Sequence, residues 1–174
     1  MKRIAVFVTV VMTLAACGDS DSSTAAEGSG EMMAAAIDQL ITNDHTFGDG
    51  PPPFTEYLLQ SRLDPAAGSA TGSGQPPSRE LSGTERAAIE RVVEPFGPLR
   101  WIDDPAEWIT EDLRPTIDGA VIVGVGEPTI DGSTGLVPVS LWCSGLCGTW
   151  LTYQLDLIDG AWVVTGIEGP IAIS

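Results

Sequence analysis

The spacing of apolar residues changes along the chain, from a helical period in the first half to a strand period in the second. The large apolar residues of Glu31–Ile41 fall on one face at helical spacing, which predicts a short amphipathic helix. Thr55 can cap a second helix that runs to about Leu63, with Phe54 and Leu59 placed as a hydrophobic staple. The chain is therefore predicted to begin with two short helices.

A third helix has the clearest start signal. Ser82-Gly83-Thr84-Glu85 has the spacing of a capping box, and an apolar stripe follows it as far as Gly97-Pro98, which stops a helix. Asp104-Pro105-Ala106-Glu107 repeats this chemistry, with an acidic cap and a proline at the first helical position. A short helix that carries Trp108 and Ile109 is predicted there.

Strand patterns occupy the last third of the chain. Ala120–Val125 is β-branched and almost continuously apolar, which is typical of a strand buried on both faces. Apolar and polar residues then alternate on both sides of a short loop that contains Cys143 and Cys147, and Asp159-Gly160 predicts a type I′ hairpin. Within these runs, Pro138 predicts a sheet edge or a bulge.

The order of these elements indicates an α+β fold, with N-terminal helices packed on a mostly antiparallel C-terminal sheet. Two segments without large apolar residues divide the chain. They are a flexible acidic tether within residues 17–30 and a linker rich in Gly, Ser, Ala and Pro over residues 66–78. They leave a helical segment over residues 31–65 and a small α+β domain over residues 79–174.

The N-terminal residues are typical of an export signal. Met1-Lys2-Arg3 precedes the apolar run Ile4–Ala16, which is shorter than the about 20 residues that span a bilayer. Leu14-Ala15-Ala16-Cys17 resembles the lipobox of bacterial lipoproteins, which implies cleavage before Cys17 and a diacylglycerol on its sulfur. We therefore expect a signal peptide over residues 1–16 and a protein anchored to a membrane by lipid, facing outside the cytoplasm.

Charge narrows the range of partners. Cleavage would remove Lys2 and Arg3 from the 8 basic residues and none of the 24 acidic ones, which leaves six arginines, no lysine and a formal charge of −18. Such a surface is repelled by nucleic-acid phosphates and by anionic lipid headgroups. Nucleic acid is therefore excluded as a partner, and the acyl chains are expected to provide the whole membrane attachment.

Cys143 and Cys147 would remain as the cysteine pair of an exported protein, and one disulfide is predicted because disulfides persist outside the cytoplasm. Two alternatives stay open: a redox-active dithiol, which normally has two residues between its cysteines, and a metal pair, which for zinc would need two more ligands. His45, the one histidine of the chain, is expected to be a solvated loop residue. Neither a metal nor a cofactor is predicted.

Carboxylates gather around two tryptophans near the middle of the chain. Such surfaces bind sugars or hydrolyse glycosides, and they also arise where a capped helix carries core tryptophans. The residues concerned are Asp103, Asp104, Glu107, Glu111 and Asp112, beside Trp101 and Trp108. No Gly-x-Ser-x-Gly elbow supplies a serine nucleophile, so catalytic residues are not predicted. A small hydrolase or ligand-binding domain, with a pocket between helices and sheet, is the alternative function.

The cysteine loop and the hairpin after it carry a resemblance. Trp142-Cys143-Ser144-Gly145-Leu146-Cys147-Gly148, followed by Trp150, Tyr153, Gly160 and Trp162, resembles a pattern in a group of uncharacterised secreted bacterial proteins. Those proteins have glycine where this chain has Ser144, and the resemblance implies no particular activity. The order of helices and curved sheet is also weakly similar to the NTF2-like fold, which hosts enzymes and binding modules alike.

The predicted function is that of an extracytoplasmic lipoprotein. It would act as a non-catalytic binding or interaction module at the cell envelope, with an envelope protein or a small ligand as its partner. Trp142, Leu146 and Trp150 surround the cysteine loop and form the predicted binding surface.

Overall fold

A computed structural model describes residues 20–48, 50, 52–71, 74 and 78–174, and for residues 20–27 it describes the backbone only. The predicted signal peptide over residues 1–16 and the predicted lipidation site, Cys17, lie outside the described residues.

The described part of the chain contains two α-helices and one seven-stranded sheet. Short 3-10 helices follow α2 and β2, at Glu94–Phe96 and Pro105–Trp108. The helices are α1 (Ser20–Thr42) and α2 (Gly83–Val93). The strands are β1 (Glu56–Gln60), β2 (Leu99–Ile102), β3 (Ala120–Val125), β4 (Thr129–Asp131), β5 (Thr134–Ser144), β6 (Cys147–Ile158) and β7 (Ala161–Ile173).

The strand order is β2-β1-β3-β5-β6-β7, and β4 pairs with β5 beside β3. β1 is parallel to β2 and to β3, and the other pairs are antiparallel. The predicted α+β class with a mostly antiparallel sheet is confirmed.

β1 stands where the second helix was predicted. Tyr57, Leu58 and Leu59 are all buried, because β1 lies between two strands and its side chains meet both layers that cover the sheet. Three consecutive apolar residues fit a buried parallel strand as well as a helix, and pairing with two neighbours decides the outcome. Thr55 is not a helix cap, since its hydroxyl donates to the carbonyl of Asp118 at 2.8 Å.

α1 begins at Ser20, so residues 20–30, predicted as part of a flexible tether, are helical. Once the apolar face around Ile37 is packed, extension toward the N-terminus is favourable because each further residue adds one hydrogen bond to an existing nucleus. Gly30 lies where α1 meets α2, and a Cβ there would come within 3.1 Å of the Glu85 Cα. This glycine allows the two helices to approach closely.

One hydrophobic core lies between the two helices and the sheet. Residues on both sides of the predicted linker contribute to it, and the amide of Gly68, within that linker, donates to the carbonyl of Val139 at 3.0 Å. The segments before and after residues 66–78 therefore fold around the same core. Its buried members include Met33, Ile37, Leu40, Tyr57, Leu59, Leu63, Ile89, Val93, Val121, Val139, Leu141, Tyr153 and Leu155.

Three local predictions are confirmed. Ser82 and Glu85 form the reciprocal capping box at the start of α2. Asp104 caps the 3-10 helix that follows it, by accepting a hydrogen bond from the amide of Ala106 at 2.9 Å. Asp159-Gly160 has φ angles of 52° and 82°, the left-handed pair that a type I′ turn needs.

Pro138 lies inside the sheet rather than at an edge. It stands where β5 stops pairing with β3 and begins to pair with β4. Its carbonyl accepts a hydrogen bond from the amide of Gly126 at 2.9 Å, in the gap between these two neighbours. A strand residue directs its N–H and C=O to the same side, so the missing donor of proline faces this gap and interrupts no ladder with β6.

Candidate functional site

A cleft of ≈ 580 Å³ opens at the end of the sheet where β5 turns into β6. Three chain segments meet around it. The loop after α1 contributes Phe47, Pro53 and Phe54, the segment that leads into β3 contributes residues 110, 112 and 114–120, and the β5–β6 turn contributes Cys143, Ser144 and Cys147. We refer to this feature as the cleft.

The β5–β6 turn forms a fixed wall of the cleft. Cys143 and Cys147 have their sulfur atoms at disulfide-bonding distance and their Cα atoms 5.2 Å apart. Cys143 sits in a register shift of β5, between the pairs that Trp142 and Ser144 make with β6. The amide of Gly145 then donates to the carbonyl of Leu113 at 2.9 Å, which joins this turn to the neighbouring wall.

Three large apolar side chains are exposed in the segments that form the cleft; Phe47 lines it, and Leu113 and Leu146 are next in the chain to residues that line it. Phe47 is 51% exposed, Leu113 57% and Leu146 90%. Leu113 also has φ = 55°, a left-handed conformation that is uncommon for a branched residue and costs energy. Two hydrogen bonds hold it there, from its own amide to Thr110 and from Gly145 to its carbonyl. The backbone conformation that exposes this apolar side chain therefore costs the folded protein conformational free energy.

A partly buried polar network fixes the loop that carries Phe47. The hydroxyl of Tyr153 donates to Asp44 at 2.6 Å, and the amide group of Gln39 donates to the same carboxylate oxygen at 3.0 Å. Burial, followed by the Asp44 carboxylate, raises the pKa of Tyr153 well above its ordinary value. The hydroxyl of Thr149 donates to the Asp44 carbonyl at 3.4 Å, so this loop is tied to β6 close to the cysteine pair.

His45 is buried, with only 4% of its surface exposed, so the prediction of a solvated histidine is wrong. Its own loop satisfies both ring nitrogens. Nδ1 accepts from the amide of Phe47 at 3.4 Å, which places the proton on Nε2, 3.1 Å from the carbonyl of Gly50. The imidazole thereby shapes the turn that presents Phe47 to the cleft.

The predicted binding surface divides between two places. Leu146 projects from the β5–β6 turn beside the cleft. Trp142 and Trp150 alternate with the buried Leu141 and Leu151, so they face the other side of the sheet. There Trp142 packs against the small cluster around Ile122, which the chain between β2 and β3 partly covers.

The predicted acidic cluster does not converge on one site. Asp103 accepts a hydrogen bond of 2.5 Å from the Ser61 hydroxyl, and Asp104 is occupied as a helix cap. Of the five carboxylates, Asp112 lines the cleft. Both tryptophans have structural partners, because Trp101 donates to Glu90 at 2.6 Å and Trp108 lies under the Arg100 guanidinium, 5.2 Å from it.

The sequence pattern does not mark Phe47 or Leu113 as site residues, and Asp118, which precedes Gly119, indicates a turn. Leu113 has a usable signal, as an isolated large apolar residue in a polar stretch, and Phe47 has none.

Among the described residues, no cluster of His, Cys, Asp and Glu side chains is suited to hold a metal ion. Over the same part of the chain, no helix is long and apolar enough to cross a membrane. The sequence matches no protein-family model, and a comparison with curated proteins gives no significant match.

Proposed function

We propose that this protein is a lipid-anchored, extracytoplasmic binding module and that the cleft is its ligand site. The observation that carries the proposal is the meeting of a ≈ 580 Å³ cleft with three exposed apolar side chains, Phe47, Leu113 and Leu146. Clefts of this size are typical of ligand sites, and clustered exposed apolar groups mark interaction surfaces.

The rigidity of the walls also supports recognition. The cysteine pair, the contact between Gly145 and Leu113, and the bond between Tyr153 and Asp44 each fix one segment before a partner arrives. A preformed site binds with a smaller loss of conformational entropy than a flexible one.

Binding fits the cleft better than hydrolysis. Glycoside hydrolysis uses a carboxylic acid kept in a water-poor environment beside a second carboxylate. The acidic side chains of the cleft, Asp112 and Asp118, are exposed to solvent and lie on one wall. The hydrolase alternative therefore has no specific observation in its favour.

The position of α1 suggests how such a module would be presented. Ser20, its first residue, follows the predicted anchor Cys17 by three positions, and Phe47 lies just beyond its last turn. A helix of 23 residues is roughly 35 Å long. Lipid at Cys17 would thus hold the cleft at the end of the helix that points away from the membrane.

Two measurements test the proposal. Labelling cells with a palmitate analogue should mark the wild-type protein and leave Cys17→Ala unmarked; a variant that still labels contradicts the anchor. Crosslinking in intact cells should retain an envelope component with the wild type and with Ile158→Ser, a change at an exposed site at the end of β6 away from the cleft. Leu146→Ser should lose that component while it remains folded, and equal capture by both variants contradicts the site.

A further inference from the structure

We infer that the occupant of the cleft is a cationic, partly apolar polypeptide segment. This inference rests on the proposed function and adds to it the chemical class of the partner.

The first argument is the charge of the segment before β3, part of which lines the cleft. Residues 103–118 contain six acidic residues and one arginine, Arg114, a formal charge of −5. Asp103 and Asp104 are engaged locally by Ser61 and by the helix cap. The others, Glu107, Glu111, Asp112 and Asp118, are exposed, and the ion pairs among the described residues involve none of them. Of these four, Asp112 and Asp118 line the cleft together with Arg114, and Glu107 and Glu111 are exposed elsewhere in the same segment.

The second argument is the apolar surface next to these charges. Phe47, Phe54 and Ile117 line the cleft, and the exposed Leu113 and Leu146 are next in the chain to lining residues. A bound segment could bury apolar side chains between these residues while its basic groups stay near Asp112 and Asp118. Amphipathic side chains such as lysine suit this arrangement, because their alkyl stems pack on apolar surface and their ammonium groups remain solvated.

The third argument excludes other occupants. A second copy of this chain, with a formal charge of −16, or of −18 after the predicted cleavage, would bring further negative charge to an acidic surface, and like charges in contact cost several kcal/mol. Anionic lipids and nucleic acids meet the same repulsion. The cleft is open to solvent, whereas small-molecule sites enclose most of their ligand. An extended peptide can instead run along an open cleft and contact several walls.

The experiment measures the affinity of a fluorescent peptide that alternates lysine with leucine, by anisotropy at low and at physiological salt. A peptide of equal length with glutamate in place of lysine is the charge control. The lysine peptide should bind about tenfold more tightly or better, because the opposite charge sign is repelled. Binding should weaken as salt is raised, since exposed charges are screened.

Variants distinguish binding of the peptide at the cleft from non-specific electrostatic binding elsewhere on this acidic protein. Asp112→Asn and Asp118→Asn should each weaken binding about threefold, as is typical of rim charges, and Leu146→Ser should weaken it by at least as much. Asp159→Asn in the β6–β7 turn and Ile158→Ser at the end of β6 are the matched changes outside the cleft lining and should leave the affinity unchanged. Thermal unfolding of every variant shows whether it is folded.

Equal weakening by the Asp112 and Asp159 variants, or equal affinity for the two peptides, would overturn the inference. The capture experiment with Leu146→Ser separates the two proposals. If capture depends on Leu146 but the affinity for the lysine peptide is the same in the cleft variants and the wild type, the proposal of a binding module is supported and the occupant belongs to another chemical class. If neither depends on the cleft, both proposals fall.

Discussion

Two fully buried tyrosines in the same core differ in what their hydroxyl groups meet. Tyr153 donates to Asp44 at 2.6 Å, whereas the hydroxyl of Tyr57 has no hydrogen-bond partner among the described residues. Burial raises the pKa of Tyr57 to about 12, so its hydroxyl stays protonated near neutral pH. A buried hydroxyl without a partner loses its hydration and gains nothing in return.

Removing each hydroxyl should therefore have opposite effects. Tyr57→Phe should leave the free energy of unfolding unchanged or raise it by up to about 1 kcal/mol, and Tyr153→Phe should lower it by about 1 to 3 kcal/mol. Urea unfolding of the two variants beside the wild type measures both values. A loss of stability in Tyr57→Phe that equals the loss in Tyr153→Phe would contradict this account of the two side chains.

Glu85, in α2, links this helix to α1 and to Arg79, in the segment that precedes α2. Arg79 binds both of its oxygens at 2.8 Å, the Ser82 amide donates at 2.7 Å, and the Ser29 hydroxyl donates at 2.9 Å. Burial opposes ionisation of this carboxyl, but these hydrogen bonds outweigh it and lower the pKa of Glu85 from 4.5 to about 2. The carboxylate form therefore stabilises the folded protein.

This shift predicts a specific dependence of stability on pH. The contribution of Glu85 is complete above its ordinary pKa of 4.5 and is lost as the pH falls through about 2. Glu85→Gln should cost about 2 kcal/mol at pH 7, less than the about 3 to 5 kcal/mol of a fully buried pair, because Arg79 remains 43% exposed. Unfolding curves between pH 6 and pH 2 should show a shallower acid loss in this variant than in the wild type, and parallel curves would refute the role of Glu85.

At the scale of single elements, the packing at the start of β6 requires a glycine, Gly148. A Cβ at Gly148 would collide with the indole ring of Trp150, whereas a Cβ at Gly166 in β7 would have its nearest neighbour 4.0 Å away, at Gln154. The two glycines lie in neighbouring strands of the same sheet. Substitution of Gly166 is therefore a suitable control for substitution of Gly148.

Gly148→Ala should displace the Trp150 ring and lower the free energy of unfolding by about 1 to 3 kcal/mol, as overpacking does. Gly166→Ala should be neutral or slightly stabilising, because alanine loses less backbone entropy than glycine on folding. Tryptophan fluorescence and thermal unfolding measure the two effects. Equal stabilities of the two variants would show that the ring has room for the added methyl group.

Helix caps and tight turns were predictable from the sequence, because they are formed by residues close together in the chain. The capping box of Ser82, the cap at Asp104 and the turn at Asp159-Gly160 each depend on atoms within a few residues, and each is found where the pattern placed it. β1 was not predictable in the same way, since its neighbours, β2 and β3, are supplied by chain more than 40 residues away. A run of apolar residues does not specify such distant partners.

The same limit applies to the candidate site in the whole molecule. Leu146 was predictable because it lies between two cysteines in a short turn. Phe47 and Leu113 become part of the site only because the loop after α1 and the segment before β3 meet the β5–β6 turn, a juxtaposition that no local pattern encodes. Lipidation at Cys17 and an interaction role outside the cytoplasm remain predictions from the sequence.

The measurement that tests the central claim most directly is site-specific photocrosslinking in intact cells. A benzophenone amino acid replaces Leu146, at 90% exposure beside the cleft, or Ile158, at 48% exposure at the opposite end of β6. The account predicts a discrete adduct from position 146 that an excess of unlabelled wild-type protein competes away, and none from position 158. Adducts from position 158 alone, or the same adducts from both positions, would contradict a ligand site at the cleft.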